Sequence, residues 1–453
     1  MIDKNFKESF SPEWYSANIK DPTNEVVILR GIIPWQKIIN KLCPFYHQNK
    51  GPTGKSLRVM VALLIIMRYR KLSDREVVQQ VKENRYLQYF CNVPDDGLQN
   101  FIHPTSLVTF RKRLGEKGIA IIEETVFKML RQSGMIQGDN ALIDSTVLNN
   151  NIVHPNDVNL INNAFEKMKQ FARLHNILVW WDDDEVKKML RGFRLCKKNN
   201  RLEWLVKFNV LFVPALSIFN KKIESLEIAQ KNIQKSQKKL GKAQKRLKKA
   251  QTMLELLTIL KEQTLQKIKG EIHIQNRIVS LDEPEARPIV KGKQHPSCEF
   301  GTTAQMSFNR EGFMITVENF IGTPNDKTLF PETMDLFTKR LKEQPETVVT
   351  DLGYRSRDNA KVGKEISSNV FLGRSHDVSE EQREFCCKAR SATEGFIAVA
   401  KNLRGFGCSL YRGLKGDKIW SLLCQTAYNL RKFILLLKEE KIEESVLCKL
   451  NLA

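Results

Sequence analysis

Ala141-Leu142-Ile143-Asp144-Ser145-Thr146-Val147 and, far downstream, Thr347-Val348-Val349-Thr350-Asp351 are the two stretches whose reading decides the fold. Each is a short apolar, β-branched run, the pattern of a strand buried on both faces as in a parallel sheet. Each also delivers an aspartate where its apolar run ends. Around the second stretch, strands and helices alternate. Gly301 to Phe308 and Phe313 to Phe320 read as a hairpin turned by Asn309-Arg310-Glu311-Gly312. A helix follows from about Pro331 to Lys342, another starts near Ser356, Asn369 to Leu372 is a short fifth strand, and Ser379 to Arg404 is a long helix. The predicted class is α/β, a mixed sheet interrupted after its first strand by a long helical insertion. Parallel strands that end side by side bring their last residues to one edge of the sheet, where ligands gather in open α/β folds. Asp144 and Asp351 both hold that position.

The insertion, residues 159–284, is charged and helical. Within it Phe219, Leu226, Ile233, Leu240, Leu247 and Leu254 recur every seventh residue, and Ala229, Ser236, Ala243, Ala250 and Leu257 fill the position three further on, the spacing of a coiled-coil seam. Between Lys221 and Lys249 stand eleven Lys or Arg and two Glu, so the outer faces are positive. A solvated helix hairpin and an arm lying along DNA phosphates both fit that charge. Residues 1–135 read as an all-helical N-terminal DNA-binding domain. Val59, Leu63, Leu64 and Met67 keep helical spacing, Ser73 and Glu76 form a capping-box pattern, and Pro104 opens a helix carrying Arg111, Lys112 and Arg113. Short helices with basic faces suit a helix-turn-helix reader and are also ordinary solvated surfaces. The sheet core takes residues 136–158 and 285–435, and 436–453 form a C-terminal tail.

The chain of 453 residues, 42% hydrophobic, is long enough for two or three structural units. Its 73 Lys and Arg against 51 Asp and Glu give a formal +22, a balance that favours a polyanionic partner. The longest uninterrupted apolar stretch runs only from Val59 to Met67, short of the roughly 18 residues a membrane span needs. No apolar core follows Met1-Ile2-Asp3-Lys4, so no signal peptide is read and a cytoplasmic, nucleoid-associated location is expected. Nine cysteines show no Cys-x-x-Cys pair or zinc spacing and read as reduced, buried thiols.

Two carboxylates brought together repel unless they share a proton or hold a hard cation. The helix from Ser379 offers a third acid, because Cys387, Arg390, Glu394 and Lys401 fall on one helical face. Three hard oxygen donors suit Mg²⁺ or Mn²⁺, and two such ions about 4 Å apart would activate the attacking oxygen and stabilise the departing one in an in-line displacement. No Ser-His-Asp or Cys-His arrangement and no Gly-rich phosphate loop is readable. The bland alternatives are definite. Asp144 and Asp351 could each form a turn, and Arg390 with Glu394 could be a helix salt bridge. Asp182-Asp183-Asp184-Glu185 reads as an acidic helix N-terminus, and His154 and His295 as structural histidines.

These blocks resemble a known family. Ile143-Asp144-Ser145-Thr146 with Asn151 and Pro155-Asn156-Asp157 is similar to the first-aspartate block of bacterial insertion-sequence transposases of the DDE type. The closest group is the one named after insertion sequence five, within the insertion-sequence-four superfamily. Thr350-Asp351-Leu352-Gly353-Tyr354-Arg355 resembles the second block, and Arg390, Glu394 and Lys401 match the signature helix, with Cys387 standing where the signature has Tyr. Ile33-Pro34-Trp35, Tyr89-Phe90-Cys91 and Phe110-Arg111-Lys112-Arg113-Leu114-Gly115 resemble the family's N-terminal helical domain. The resemblance spans about residues 30 to 435. It implies an RNase H-like core that cleaves and rejoins double-stranded DNA at terminal inverted repeats. Asp144, Asp351 and Glu394 would bind two Mg²⁺ ions, with Mn²⁺ able to substitute. Arg390 and Lys401 would hold the flanking phosphates, with Arg404, Arg412 and Lys415 extending that contact and Thr146, Asp157 and Tyr354 in support. A homodimer or larger synaptic complex is the implied assembly. The competing readings are a DNA-binding protein of transposon descent that has lost catalysis and a metal nuclease without end specificity.

Overall fold

The computed structural model describes residues 10–47, 54–99, 101–231, 237–290, 298–373 and 379–439. The chain separates into two compact units, one of residues 1–150 with 302–453 and the other of residues 151–301. The helical N-terminal region and the sheet therefore share a unit. The insertion boundaries read from the sequence, 159 and 284, fall inside the second unit.

The first unit begins with helices α1 (Pro12–Asn18), α2 (Glu25–Ile32), α3 (Trp35–Leu42), α4 (Leu57–Tyr69), α5 (Asp74–Glu83), α6 (Arg85–Cys91) and α7 (Pro104–Gln132). α4 is the centre of this group, since it is buried along nearly its whole length. Two arginines go into the core with it because each finds partners there. Arg58 donates to the carbonyl oxygen of Phe90 at 2.7 Å and stacks on Trp35, while Arg68 stacks on Trp420. α5 starts at the capping box expected for Ser73 and Glu76. α7 opens at Pro104 as read, with His103 as its cap, and bends at Gly115.

β1 (Asn140–Asn150) extends past the 141–147 stretch read from the sequence. Its first residues pair in parallel with β5 (Thr347–Thr350), from Asn140 opposite Thr347 to Ile143 opposite Thr350. β5 pairs in parallel with β6 (Asn369–Leu372). On the other side of β1 lies β3 (Glu299–Phe308), which forms the expected antiparallel hairpin with β4 (Met314–Ile321). The far end of β1 is held by β7 (Cys408–Ser409). Between these strands run α12 (Asp326–Leu341), α13 (Arg357–Ile366) and α14 (Glu380–Leu403), and α15 (Gly413–Lys438) follows β7. α15, which the sequence reading did not identify as an element, packs on α4, α7 and β4, and this ties the helices and the sheet into one core. The buried Asp417 on α15 accepts from Asn150 Nδ2 at 3.0 and 3.1 Å and from Thr302 Oγ1 at 3.0 Å. It thereby fixes both points at which the chain leaves and re-enters this unit.

The second unit packs α8 (Asp157–Leu174), α9 (Asp183–Leu195), α10 (Arg201–Lys231) and α11 (Gln237–Ile268), and carries β2 (Arg287–Ile289) paired with the first residues of β3. The region read as charged and helical is made of these four helices. Phe219, Ala250 and Leu257 of the heptad pattern are buried, and Leu226, Leu247 and Leu254 pack against them beside Phe165 and Phe212. The side chains of Ile233, Ser236 and Leu240 lie outside the described residues. Five residues between α10 and α11 span at most about 18 Å, and helices of over 30 residues are on the order of 45 Å long, so the two packed helices must run antiparallel. Gln251 Nε2 donates across them to Glu227 Oε1 at 2.6 Å. Among the described residues, 198–229 form a helix long and apolar enough to cross a membrane, and 33% of its most apolar window is buried in the protein. As read, Asp182 caps α9, accepting from the N–H groups of Asp184 and Glu185.

Candidate active site

Asp144 is not at the end of its strand. It lies inside β1, at the residue where the parallel ladder with β5 stops, because Ile143 opposite Thr350 is the last pair. That register puts Asp144 beside Asp351, the first residue after β5. Each carboxylate is turned onto nearby backbone: Ser145 N–H donates to Asp144 Oδ1 at 2.7 Å and Gly353 N–H to Asp351 Oδ1 at 2.9 Å. α14 packs across β1 and β5. Its residues Arg390, Thr393 and Glu394 line, together with Asp144 and Asp351, one small cavity of about 70 Å³. Glu394 is exposed, whereas the two aspartates and Arg390 are half-buried.

The three acids named from the sequence therefore share a cavity, floored by Ile143, Val349 and Thr350. Their donor atoms are all hard oxygens, and an arginine lies among them, so the chemistry of the set fits a divalent cation carrying phosphate. The fit is one of donor type and shared cavity. Among the described residues no group of three His, Cys, Asp or Glu is gathered closely enough to hold an ion as it stands. Like charges without a cation between them repel, and the two aspartates are instead hydrogen-bonded to nearby backbone N–H groups.

The supporting residues divide. Tyr354 is buried and donates to Gln305 Oε1 at 2.9 Å. Burial, with Asp326 and Asp144 adding to it, pushes its phenol far above the usual range. Thr146 is buried on β1 outside the cavity lining. Asp157 belongs to the other compact unit, where it pairs with Arg277 at 2.6 Å. Lys401 is further along α14 and does not line the cavity, and Cys387 is exposed and also outside it.

Most of the remaining basic residues meet elsewhere. A groove of about 850 Å³ is lined by Arg75, Arg111 and Lys112 from α5 and α7 and by Arg412 and Lys415 at the start of α15. Sequence reasoning placed these in two separate domains, and the packing of α15 on α7 brings them together. Arg111 corrects the expectation of a DNA-facing row 111–113. It is buried, holds Asp74 through two bonds of 2.6 Å, and stacks on Tyr411. Arg113 stacks on Tyr46 instead of lining the groove. Arg404 is likewise drawn inward, donating to the carbonyl oxygen of Tyr69 at 3.1 Å. Arg75, Lys112, Arg412 and Lys415 remain exposed.

Residues 15–113 match the family described as "Transposase domain (DUF772)". That match covers 99 of the 453 residues, all of them before the sheet. The matched stretch runs from α1 into α7, the helical region that forms one wall of the basic groove. Over 162 residues, 35% of this chain and 78% of the relative, the sequence is 29% identical to "Uncharacterized protein ORF8 in nfe locus" of Rhizobium meliloti. No solved structure matches.

One acid near this cavity escaped the sequence reading. Asp326 opens α12, which begins at the Asn325 cap; the reading began that helix at Pro331, which in fact lies inside it. A Cβ on Gly353 would stand 3.1 Å from Asp351 Oδ1 and 3.2 Å from Asp326 Oδ2. Both carboxylates thus lie beside Gly353, two residues after Asp351, where a Cβ would meet them tightly. The signal that could have found Asp326 is Asn325-Asp326 as a cap and first-turn acid.

Proposed function

We propose that this protein is a DDE transposase that cuts double-stranded DNA at the ends of an insertion sequence and joins the freed 3′ ends to target DNA. The observation that carries the reading is the register of β1 and β5, which makes Asp144 and Asp351 neighbours, with Glu394 and Arg390 on the same cavity. The strand order, a β3–β4 hairpin beside parallel β1, β5 and β6, supports an RNase H-like core in this reading. Its resemblance is to the insertion-sequence-five group.

Asp144, Asp351 and Glu394 supply the carboxylates that would hold two Mg²⁺ ions. When bound, such ions supply activation of the attacking oxygen and charge stabilisation of the leaving one. Arg390 would draw the scissile phosphate onto the cavity through charge-assisted bonds, and Lys401, further along α14, would hold a neighbouring phosphate. Tyr354, neutral at any physiological pH because burial raises its phenol, keeps the turn after Asp351 fixed through Gln305. Arg75, Lys112, Arg412 and Lys415 offer exposed cations to the duplex backbone, and Arg111 braces the groove by holding Asp74. Homodimeric or larger assemblies that bring two ends together belong to the same proposal.

A second reading, a transposon-derived DNA-binding protein without catalysis, draws on the lack of a gathered ion-binding group among the described residues. One experiment separates the two. The purified full chain is incubated with Mg²⁺ and a labelled duplex bearing the inverted repeat that flanks its reading frame, beside an unrelated duplex. Cleavage confined to the repeat end, lost by about 10³-fold or more in Asp144→Asn and Asp351→Asn and in Glu394→Gln, is the expected outcome for carboxylates on which both ions depend. Repeat-end products that Asp144→Asn leaves unchanged would sink the catalytic reading, and equal cutting of both duplexes would make the protein a general nuclease.

A further inference from the structure

Asn325, not Asp326, caps α12, since its side chain accepts from the N–H of Lys327 at 3.0 Å. The Asp326 carboxylate is left to face the sheet. Ser145 Oγ donates to its Oδ1 at 3.0 Å, and Ser145 N–H is the donor that holds Asp144 Oδ1 at 2.7 Å. Oδ2 of Asp326 and Oδ1 of Asp351 both come close to Gly353, at 3.2 and 3.1 Å from where its Cβ would stand. An acid in the first turn of a helix has an ordinary explanation in the helix dipole. That explanation accounts for the residue type. It does not account for a side chain bonded to the neighbour of one candidate metal ligand and packed beside the other. A further carboxylate set against two like charges is unfavourable unless a cation is to be shared among them.

We infer that Asp326 is a positioning residue of the metal site: through Ser145 it fixes the strand segment that orients Asp144, and its charge strengthens the hold on a hard divalent cation. The inference rests on the reading above that Asp144 and Asp351 bind that cation. Asp326→Asn is the informative change because the amide oxygen still accepts from Ser145 while the charge is gone. Mn²⁺ binding to the full chain without DNA, followed by electron paramagnetic resonance, should weaken 10- to 100-fold, the range for residues that orient metal ligands. Ser145→Ala, which keeps the charge and removes the link, should weaken it less. Metal-free Asp326→Asn should unfold at the same or a higher temperature, since like-charge repulsion is relieved, whereas a helix-dipole role alone predicts a lower one. Where Mn²⁺ binds the wild type too weakly to titrate, the Mg²⁺ concentration giving half-maximal cleavage is the readout, with the same outcomes. Unchanged metal dependence in Asp326→Asn, with Asp144→Asn abolishing it, overturns the role of Asp326 and leaves the transposase reading standing. Metal dependence that neither variant alters removes both.

Discussion

At the scale of single residues, the charged groups that matter most for the fold are those with no access to water. Asp417 is fully buried and satisfies donors from Asn150 and Thr302, the residues that border the second unit in sequence. Removing its oxygens leaves two buried donors unsatisfied, each costing about 1–3 kcal/mol. Asp417→Ala should therefore lower stability by about 3 kcal/mol or more in urea unfolding, and Thr302→Val, which deletes one hydroxyl, by only about 1 kcal/mol. Equal losses would show that Asp417 does not organise this junction. Site residues were legible to the extent that chemistry requires a residue type at a fixed point. Asp144, Asp351 and Glu394 were singled out from the sequence by the ends of two apolar runs and one helical face, and the structure lines one cavity with all three. Arg111 was misjudged because burial depends on neighbours. Nothing in Phe110-Arg111-Lys112-Arg113 tells which arginine meets Asp74 and Tyr411, residues distant in sequence.

At the scale of elements, β1, the β3–β4 hairpin, β5, β6, α13 and α14 were readable because their periodicity and caps are local. Ser356 and Ser379 cap the helices they were expected to start. α12 was read late because a proline was taken as a helix start, and α15 was missed because a nearly all-buried helix has little amphipathic contrast. The hairpin turn also positions the helix that carries Glu394. Gly312 sits at φ 85°, and a Cβ there would come within 2.6 Å of the Phe396 ring on α14. Gly312→Ala should cost about 2 kcal/mol or more, combining about 1–2 kcal/mol for a left-handed backbone with the clash. Because Phe396 lies two residues from Glu394, DNA cleavage should fall by more than the loss of folded protein accounts for. Adding Phe396→Leu should restore cleavage while leaving the backbone part of the cost, a coupling that a double-mutant cycle of thermal unfolding and cleavage rate measures. Simple additivity of the two changes would mean that the turn and α14 are independent.

At the scale of the whole molecule, the sequence suggested a DNA-binding domain attached to a separate sheet, and the core unites them. That union rests on contacts between residues hundreds of positions apart, such as Arg68 on Trp420 and Arg404 on Tyr69, which no local pattern encodes. The same core gathers Tyr69, Tyr354, Tyr411 and Tyr428, and burial raises all four phenols, those of Tyr69 and Tyr411 to about 12. A phenol ionises near pH 10 when the chain is unfolded. Groups whose folded value is higher contribute stability that is fully present below about pH 10 and is lost as pH rises toward 12, because the unfolded state releases its protons first. With four such groups in one cooperative unit, the loss should steepen with pH. The unfolding temperature should hold steady from pH 8 to about 9.5 and then fall sharply. Tyrosinate absorbance near 295 nm should rise in two stages, the exposed phenols titrating first and the buried ones together with loss of helical circular dichroism. Smooth titration of every tyrosine near pH 10 with the helices intact would mean that these side chains are open to water and that the helices and the sheet do not share a core.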